Sequence, residues 1–340
     1  MQTLERREAD QNAKAHKVID GYVEPSQDLE LYKETERFKE LERYRNIAGD
    51  LDTFTATLQT ALPVCIATNT LRVDADDLYT RLKEKIPSIE RLPWNKYAFR
   101  LHAEERPSRL TEHMIGLFTI QEEVSLLPVH VLDPKPGERI LDLCAAPGMK
   151  TAQIAIHMQG RGSLLANDIH CMRMRPLQKI IRRLGLANVI TSNEDGATFP
   201  KEVGKFDKIL ADVPCGCEGT TRKHSSLFEK YAYEKNFSLF GLQRALLQKA
   251  FQLCEVGGTI VYSTCTYAPE ENEIIVDTIL KENQGAVKIE PIEVENFSFS
   301  SGLTNWEGRE LDPSLKNTMR VWPQQNNTGG FYVAKLKRLE

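Results

Sequence analysis

The chain has 340 residues, 41% hydrophobic and 27% charged, with a net charge of −4 at pH 7. This is an ordinary globular composition, long enough for one large α/β domain plus a smaller one, and its mild acidity excludes a generic polyanion-coating surface while leaving room for local basic patches. No apolar run approaches the ~20 residues that span a bilayer, and the charged amino terminus MQTLERREADQNAKAHK is no secretory signal, so a cytoplasmic protein is expected, or a nuclear or nucleolar one if the source is eukaryotic.

Residues 1–50 read as a charged, partly helical extension. Its first twenty residues lack the apolar content to fold, whereas Leu29 to Arg45 has the periodicity of an amphipathic helix. A compact α+β unit is expected from residue 51 to about 115. It begins with a helix from Leu51 to Leu62 and a strand from Pro63, followed by Thr68-Asn69-Thr70-Leu71-Arg72 and a helix from Asp74 to Lys85. Trp94, Tyr97 and Phe99 then offer either stacking faces for unpaired bases or core contacts, the latter expected for at least two of the three. Arg72, read as a cation at an exposed strand end, is a candidate phosphate contact. Val131 to Gly137 is a turn-rich lead into the next unit.

From there strand, loop and helix recur. Ile140, Leu141 and Leu143 form a short apolar run; Cys144, Ala145, Ala146, Pro147 and Gly148 make a tight turn of small residues; helical spacing resumes at Thr151. A strand, a small-residue loop and a helix N-terminus together suit a nucleotide-sized ligand. AAPG is not GxGxxG, and Lys150 lacks the spacing of a phosphate loop. A second strand, Gly162 to Asp168, ends in an acid at the distance where a ribose is often held. Residues 171–184 form a basic helix containing Arg173, Arg175, Lys179, Arg182 and Arg183, either a solvated face or an RNA-facing one. Val189 to Thr191 is a third strand, followed by Asp195-Gly196, and Phe206 to Asp212 a fourth, followed by Val213-Pro214-Cys215. A helix from Leu242 to Phe251 leads to a fifth strand, Thr259 to Ser263, followed by Thr264-Cys265-Thr266. Glu270-Glu271-Asn272-Glu273 opens a helix with acids near its positive end. Arg320 to Pro323 and Gly329 to Lys335 read as a closing hairpin.

Cys215 and Cys265 thus each fall just beyond the carboxyl end of a strand, the edge where open α/β sheets bind ligands. The seven cysteines do not make a disulfide framework. Cys215 and Cys217 form a C-x-C, but no His or second cysteine pair follows at zinc spacing, and no metal is expected. Cys65, Cys171 and Cys254 read as buried core thiols.

These motifs, in this order, resemble the Nop/Sun/Rsm group of RNA cytosine-5 methyltransferases, from roughly Asn69 to Lys335. The resemblance implies a mixed, mostly parallel Rossmann-like sheet with helices on both faces over residues 116–340, preceded by a small α+β RNA-binding domain. It implies S-adenosylmethionine as cofactor, with Cys144, Ala145, Ala146, Pro147 and Gly148 forming its loop. Lys150 would lie near the methionine carboxylate, Asp168 at the ribose hydroxyls, Asp195 at the adenine amino group and Arg173 on the cofactor side. Asp195 before Gly also suits a plain turn. Asp212 would sit beside both cofactor and base. Arg222 and Lys223 are candidate phosphate contacts. The implied partner is ribosomal or transfer RNA, bound by a monomer; the segments around Gln121 and Glu218 look most like the bacterial Rsm branch, which leans the reading to ribosomal RNA.

The chemistry explains the pair of cysteines. Carbon 5 of cytosine becomes nucleophilic when a thiolate adds to carbon 6. The resemblance gives that role to Cys265 and breakdown of the adduct to Cys215, with Asp212 hydrogen-bonding the base. The alternative takes Cys215 as nucleophile, as in cytosine-5 DNA methyltransferases, and leaves Cys265 unexplained. A non-catalytic RNA-binding or assembly factor is the reading from a different class. Two departures stand out: Met149 where a second loop glycine is usual, and Gly216-Cys217 where Ser-Gly is common, which adds a third thiol near the site.

Overall fold

The computed structural model describes residues 41–223 and 236–340. The helix expected from Leu29 to Arg45 falls mostly outside them, as do the first twenty residues; Glu42–Tyr44 forms a single 3₁₀ turn. The next helix, α1 (Leu51–Leu58), starts where the Asp50 side chain accepts a hydrogen bond from the Asp52 amide, and it buries Leu51, Phe54 and Leu58. It stops short of the expected Leu62, which precedes Pro63 and is steered away from helical geometry.

Tyr44–Glu340 forms one compact unit. Its first layer is a four-stranded antiparallel sheet of β1 (Val64–Thr68), β2 (Glu90–Arg91), β3 (Ala98–Leu101) and β4 (Phe118–Ile120), in the order β2-β3-β1-β4. Helix α2 (Ala75–Lys83), capped by Asp74, packs Leu78 and Leu82 with Ile66, Phe99 and Phe118. Because β4 pairs with β1, the small sheet extends past the boundary expected near residue 115. Trp94 and Phe99 are core residues and only Tyr97 keeps an exposed ring. The Trp94 indole donates to Glu123 at 2.9 Å, which binds this layer to the segment entering the large sheet.

The second layer follows the expected βα alternation. After a short helix α3 (Leu127–Leu132) come β5 (Arg139–Asp142), α4 (Met149–His157), β6 (Ser163–Asn167), α5 (Cys171–Leu184), β7 (Val189–Ser192), β8 (Phe206–Asp212), α6 (Asn236–Leu253), β9 (Cys254–Thr264) and α7 (Glu273–Glu282). Strands β5 to β9 pair in parallel, so their carboxyl ends share one edge. Chain order reverses between β5 and β8, the switch point where such sheets bind ligands. Helices α3, α4 and α5 pack in succession on one face, and α6 packs with α7 on the other. Beyond them lie β10 (Val287–Glu290), β11 (Ser300–Ser301), a hairpin of β12 (Asn305–Trp306) and β13 (Arg309–Glu310), then β14 (Met319–Val321), α8 (Pro323–Asn326) and β15 (Phe331–Arg338). Antiparallel pairing of β15 with both β14 and β9 closes the sheet as the expected hairpin. Among the described residues no helix is long and apolar enough to cross a membrane.

Two expectations are corrected here. Cys171 is exposed, unlike buried Cys65 and Cys254: it is the first residue of α5, a turn ahead of the first buried side chain, Met174. The acids before α7 do more than face a helix dipole, for all three are buried. Glu270 accepts from the Trp306 indole at 3.0 Å and Glu271 from the Gly216 amide at 2.8 Å. Glu273 pairs with buried Arg320, whose guanidinium also donates to the Tyr267 carbonyl at 2.8 Å. That pair joins the α7 N-terminus, β14 and the loop beyond β9. Replacing Arg320 by Met leaves the Glu273 carboxylate buried without its counter-ion, so chemical denaturation should show a loss of about 3–5 kcal/mol.

Candidate active site

The site is built at the carboxyl ends of β5, β6, β8 and β9. Leaving β5, the chain runs through Leu143 and Cys144 into the small-residue loop, whose amides are already aimed: Ala145 N donates to Asn167 O at 2.7 Å and Ala146 N to the Asp168 carboxylate at 3.1 Å. Gly148 has φ = 111°. A Cβ there would stand 2.5 Å from Leu177 Cδ1, so only glycine lets α4 begin so close to α5. Asp168 is buried; its second oxygen accepts from His170 N at 2.9 Å, and Arg173 lies 3.6 Å away while donating to the Ala146 carbonyl. Asp195, half-buried beyond β7, accepts from Ala197 N at 2.9 Å, the turn geometry that its sequence also suited.

Charge converges between these loops. Lys150, on the first turn of α4, places Nζ 2.7 Å from Asp212 Oδ2, while Ser263 Oγ donates to Asp212 Oδ1 at 2.7 Å. Burial pulls the Lys150 ammonium down, but the charge and hydrogen bond of Asp212 outweigh it and leave it above its ordinary value. Lys150 therefore reaches from the start of α4 to the end of β8, three residues before the first cysteine. Asp142, at the end of β5, is fully buried and accepts from Thr151 Oγ1 at 2.6 Å. Burial, aided by nearby Asp212 and Asp168, pushes its carboxyl up to about 7 in spite of that bond.

The two cysteines meet. Cys215 Sγ and Cys265 Sγ are 3.3 Å apart, and Cys265 N donates to Cys215 Sγ at 3.3 Å. Cys217 Sγ donates to the Cys215 carbonyl at 3.2 Å, and all three sulfurs lie within 4.8 Å of one another. Hydrogen bonding to Cys217 and Cys265 raises the Cys215 thiol well above its usual range, with burial adding to it. The bond with Cys215 draws the Cys265 thiol down, but Cys217 and burial overcome it and Cys265 too ends well above that range.

Residues given no role at the site by the sequence hold these thiols in place. Glu218 accepts from Thr266 Oγ1 at 2.9 Å, Tyr267 N at 3.2 Å and Tyr44 Oη at 2.9 Å, clipping the Cys215 loop to the Cys265 loop. Gly219 N donates to Cys265 O at 2.9 Å, and Gly330 N to Gly219 O at 2.9 Å. A Cβ on Gly219 would lie 2.2 Å from Gly330 O, and one on Gly330 only 2.0 Å from the Tyr267 ring. Glu271, pushed up to about 7 chiefly by burial, also accepts from Gln243 Nε2 at 2.7 Å, so α6 and α7 together grip the Gly216 amide.

The expected RNA contacts divide. Arg222 spends its guanidinium on Thr60, Ala61, Asn327 and Thr328, tying the catalytic loop to the ends of α1 and α8. In this structure Arg222 thus acts as a bracket between these segments. Arg72 lies in the turn after β1, not at a strand end, and donates to Ile115 O across the seam with α5. Lys223 is exposed, as are Arg173, Arg175, Lys179 and Arg182, whereas Arg183 donates to His113 O and Phe118 O.

Comparison with known proteins bears on this site. A family model described as 16S rRNA methyltransferase RsmB/F matches residues 129–337. The tRNA (cytosine(49)-C(5))-methyltransferase of Pyrococcus abyssi is 35% identical over 85% of this chain and 92% of its own length. Ribosomal RNA small subunit methyltransferase F of Vibrio cholerae is 36% identical over 84% of this chain, which spans 60% of that protein. The crystal structure of a methyltransferase homolog from Pyrococcus horikoshii superimposes with a TM-score of 0.80 at 32% identity, covering 94% of this chain and all of that one.

The raised Asp142 carboxyl gives a signed test. The folded chain keeps a proton there that the unfolded chain releases above about pH 4, so the stability Asp142 contributes is lost as pH rises from about 4 to about 7. Asp142→Asn keeps an acceptor for Thr151 and cannot ionise. Its stability should therefore gain steadily on the parent across that window in denaturant melts; parallel curves would contradict the assignment.

Proposed function

The chain belongs to the RsmB/F methyltransferase family, and from that premise we propose that it methylates carbon 5 of a cytosine in RNA, with S-adenosylmethionine as donor and Cys265 as the covalent nucleophile. The observation that carries this reading is the pair of thiols 3.3 Å apart at neighbouring strand ends, beside the Lys150–Asp212 pair. The donor set suits the cofactor: the carboxylates of Asp168 and Asp212 stand beyond β6 and at the end of β8, on either side of β5 and its loop of small side chains, where negative charge favours a sulfonium cation. Asp168 would hold its ribose, Asp195 its adenine, and Cys144 to Gly148 with Arg173 its flank. When bound it supplies an electrophilic methyl group.

The protein's part is to make carbon 5 reactive. Cys265 gives up its proton and its sulfur bonds to carbon 6, sending the ring electrons toward carbon 5 while Asp212 hydrogen-bonds the base. After methylation, Cys215 acts as base once its own proton has passed to solvent: the thiolate takes the proton from carbon 5, the electrons re-form the ring double bond, and Cys265 leaves as a thiolate. Both thiols stand well above their usual range, so Cys265 ionises only with help. The Lys150 ammonium and the incoming cation are the charges that favour the thiolate.

Relatives point to both substrate classes. Segments near Gln121 and Glu218 favour ribosomal RNA, whereas the Pyrococcus abyssi relative, matched over 92% of its length, is named for transfer RNA. Bisulfite sequencing of total RNA with and without the gene decides between them through the one cytosine signal that disappears. For the mechanism, Cys265→Ala should lower methyl transfer below detection and form no adduct. Cys215→Ala should leave the chain covalently trapped on RNA, seen as a band resistant to denaturation. Activity surviving both substitutions would overturn the assignment.

A further inference from the structure

We propose that Cys215, Cys217 and Cys265 together form a binding site for a thiophilic d¹⁰ cation, Zn²⁺ or Cu⁺, which takes the nucleophile out of use when it binds. The three sulfurs already lie within 4.8 Å of one another. Sulfurs around one zinc at about 2.3 Å are about 3.8–4.0 Å apart. The 3.3 Å Cys215–Cys265 separation therefore needs to open by only about half an ångström. The C-x-C pair lacked a partner in the linear sequence. The adjacency of β8 and β9 supplies it, since Cys265 comes from the neighbouring strand end.

Cys217 is the residue that turns a catalytic pair into a ligand set. It holds φ = 60°, a left-handed conformation that side-chain-bearing residues seldom adopt, and there its sulfur joins the other two. Its backbone strain has no part in the methyl-transfer chemistry above. An all-sulfur donor set selects zinc, copper(I) or cadmium over magnesium or calcium. A divalent ion displaces three thiol protons, M²⁺ + 3 RSH → [M(SR)₃]⁻ + 3 H⁺, and the surplus negative charge faces the Lys150 ammonium. A fourth coordination position remains for water. The site withholds the Cys265 lone pair and does not activate a water for the reaction.

The test uses the full chain, reduced and stripped of metal, titrated with Cd²⁺ and followed by sulfur-to-cadmium charge-transfer absorption. One ion should bind per chain and shield three thiols from a thiol-reactive dye. Cys217→Gly, which suits the left-handed backbone, should weaken binding at least about 100-fold, more than an outer-shell change typically does. One equivalent of Zn²⁺ should arrest methyl transfer by the parent reversibly, and the zinc needed to arrest Cys217→Gly, each scaled to its own rate in chelator, should rise in step with its weaker binding. Cys217→Ser provides a second loss of the sulfur with the side-chain size kept, and Cys171→Ala, removing an exposed thiol on α5, should change nothing. The cadmium readout is independent of the reaction. No binding, binding undiminished by both Cys217 variants, or binding abolished by Cys171→Ala would overturn the proposal.

Discussion

The site depends on one pairing: β8 lies parallel to β9 with Asp212 opposite Ser263. Two cysteines fifty positions apart come within contact only because the loops that carry them leave the sheet side by side at that register. The Ser263 hydroxyl bonds the Asp212 carboxylate across the pair, so the register is fixed by side chains as well as by the ladder. A slip of one residue would turn Asp212 to the other face of the sheet and remove it from Lys150. Antiparallel β15 holds the far side of β9 over the same stretch, with Tyr332 opposite Thr264, so β9 has no free edge along which to slide.

Around that register the protein gathers charges it would otherwise keep in water. Asp142 and Glu271 both titrate near neutrality because burial disfavours their anions, and Arg320 and Glu273 are buried only as a pair. Their arrangement is directional: Glu218, Glu271 and Glu273 each accept donors from a different catalytic loop or strand. The thiols are thus held by hydrogen-bonded carboxylates that never enter the reaction proposed for them.

Much of this was legible in the sequence and some was not, for physical reasons. The helix over 171–184 and the strand Phe206–Asp212 have the expected bounds, because their apolar period and flanking polar residues are local signals. The order of motifs placed two cysteines and two acids at strand ends, where the structure puts them together. Local pattern did not reveal that Lys150 pairs with Asp212 or that Glu218 clips two loops, since both depend on which strands become neighbours. Arg222 looked like a free cation for the same reason: its acceptors are mostly backbone carbonyls of segments more than a hundred residues away. Cys171 misled because free cysteines are usually core residues, whereas this one stands exposed at the first position of α5.

The close approach of Gly219 and Gly330 has a consequence for how this sequence can vary. A side chain on Gly219 would need the space the Gly330 backbone occupies, and one on Gly330 the space the Tyr267 ring fills. Substitution at one position cannot be relieved by shrinking the other, which has nothing left to remove. Nor can the Tyr267 ring give way readily, being stacked 5.0 Å from Trp322. The loop after Cys215 and the entry to β15 are therefore joined at a point where drift has no compensating path. Neither position can take a side chain unless the Gly330 backbone or the Tyr267 ring moves with it.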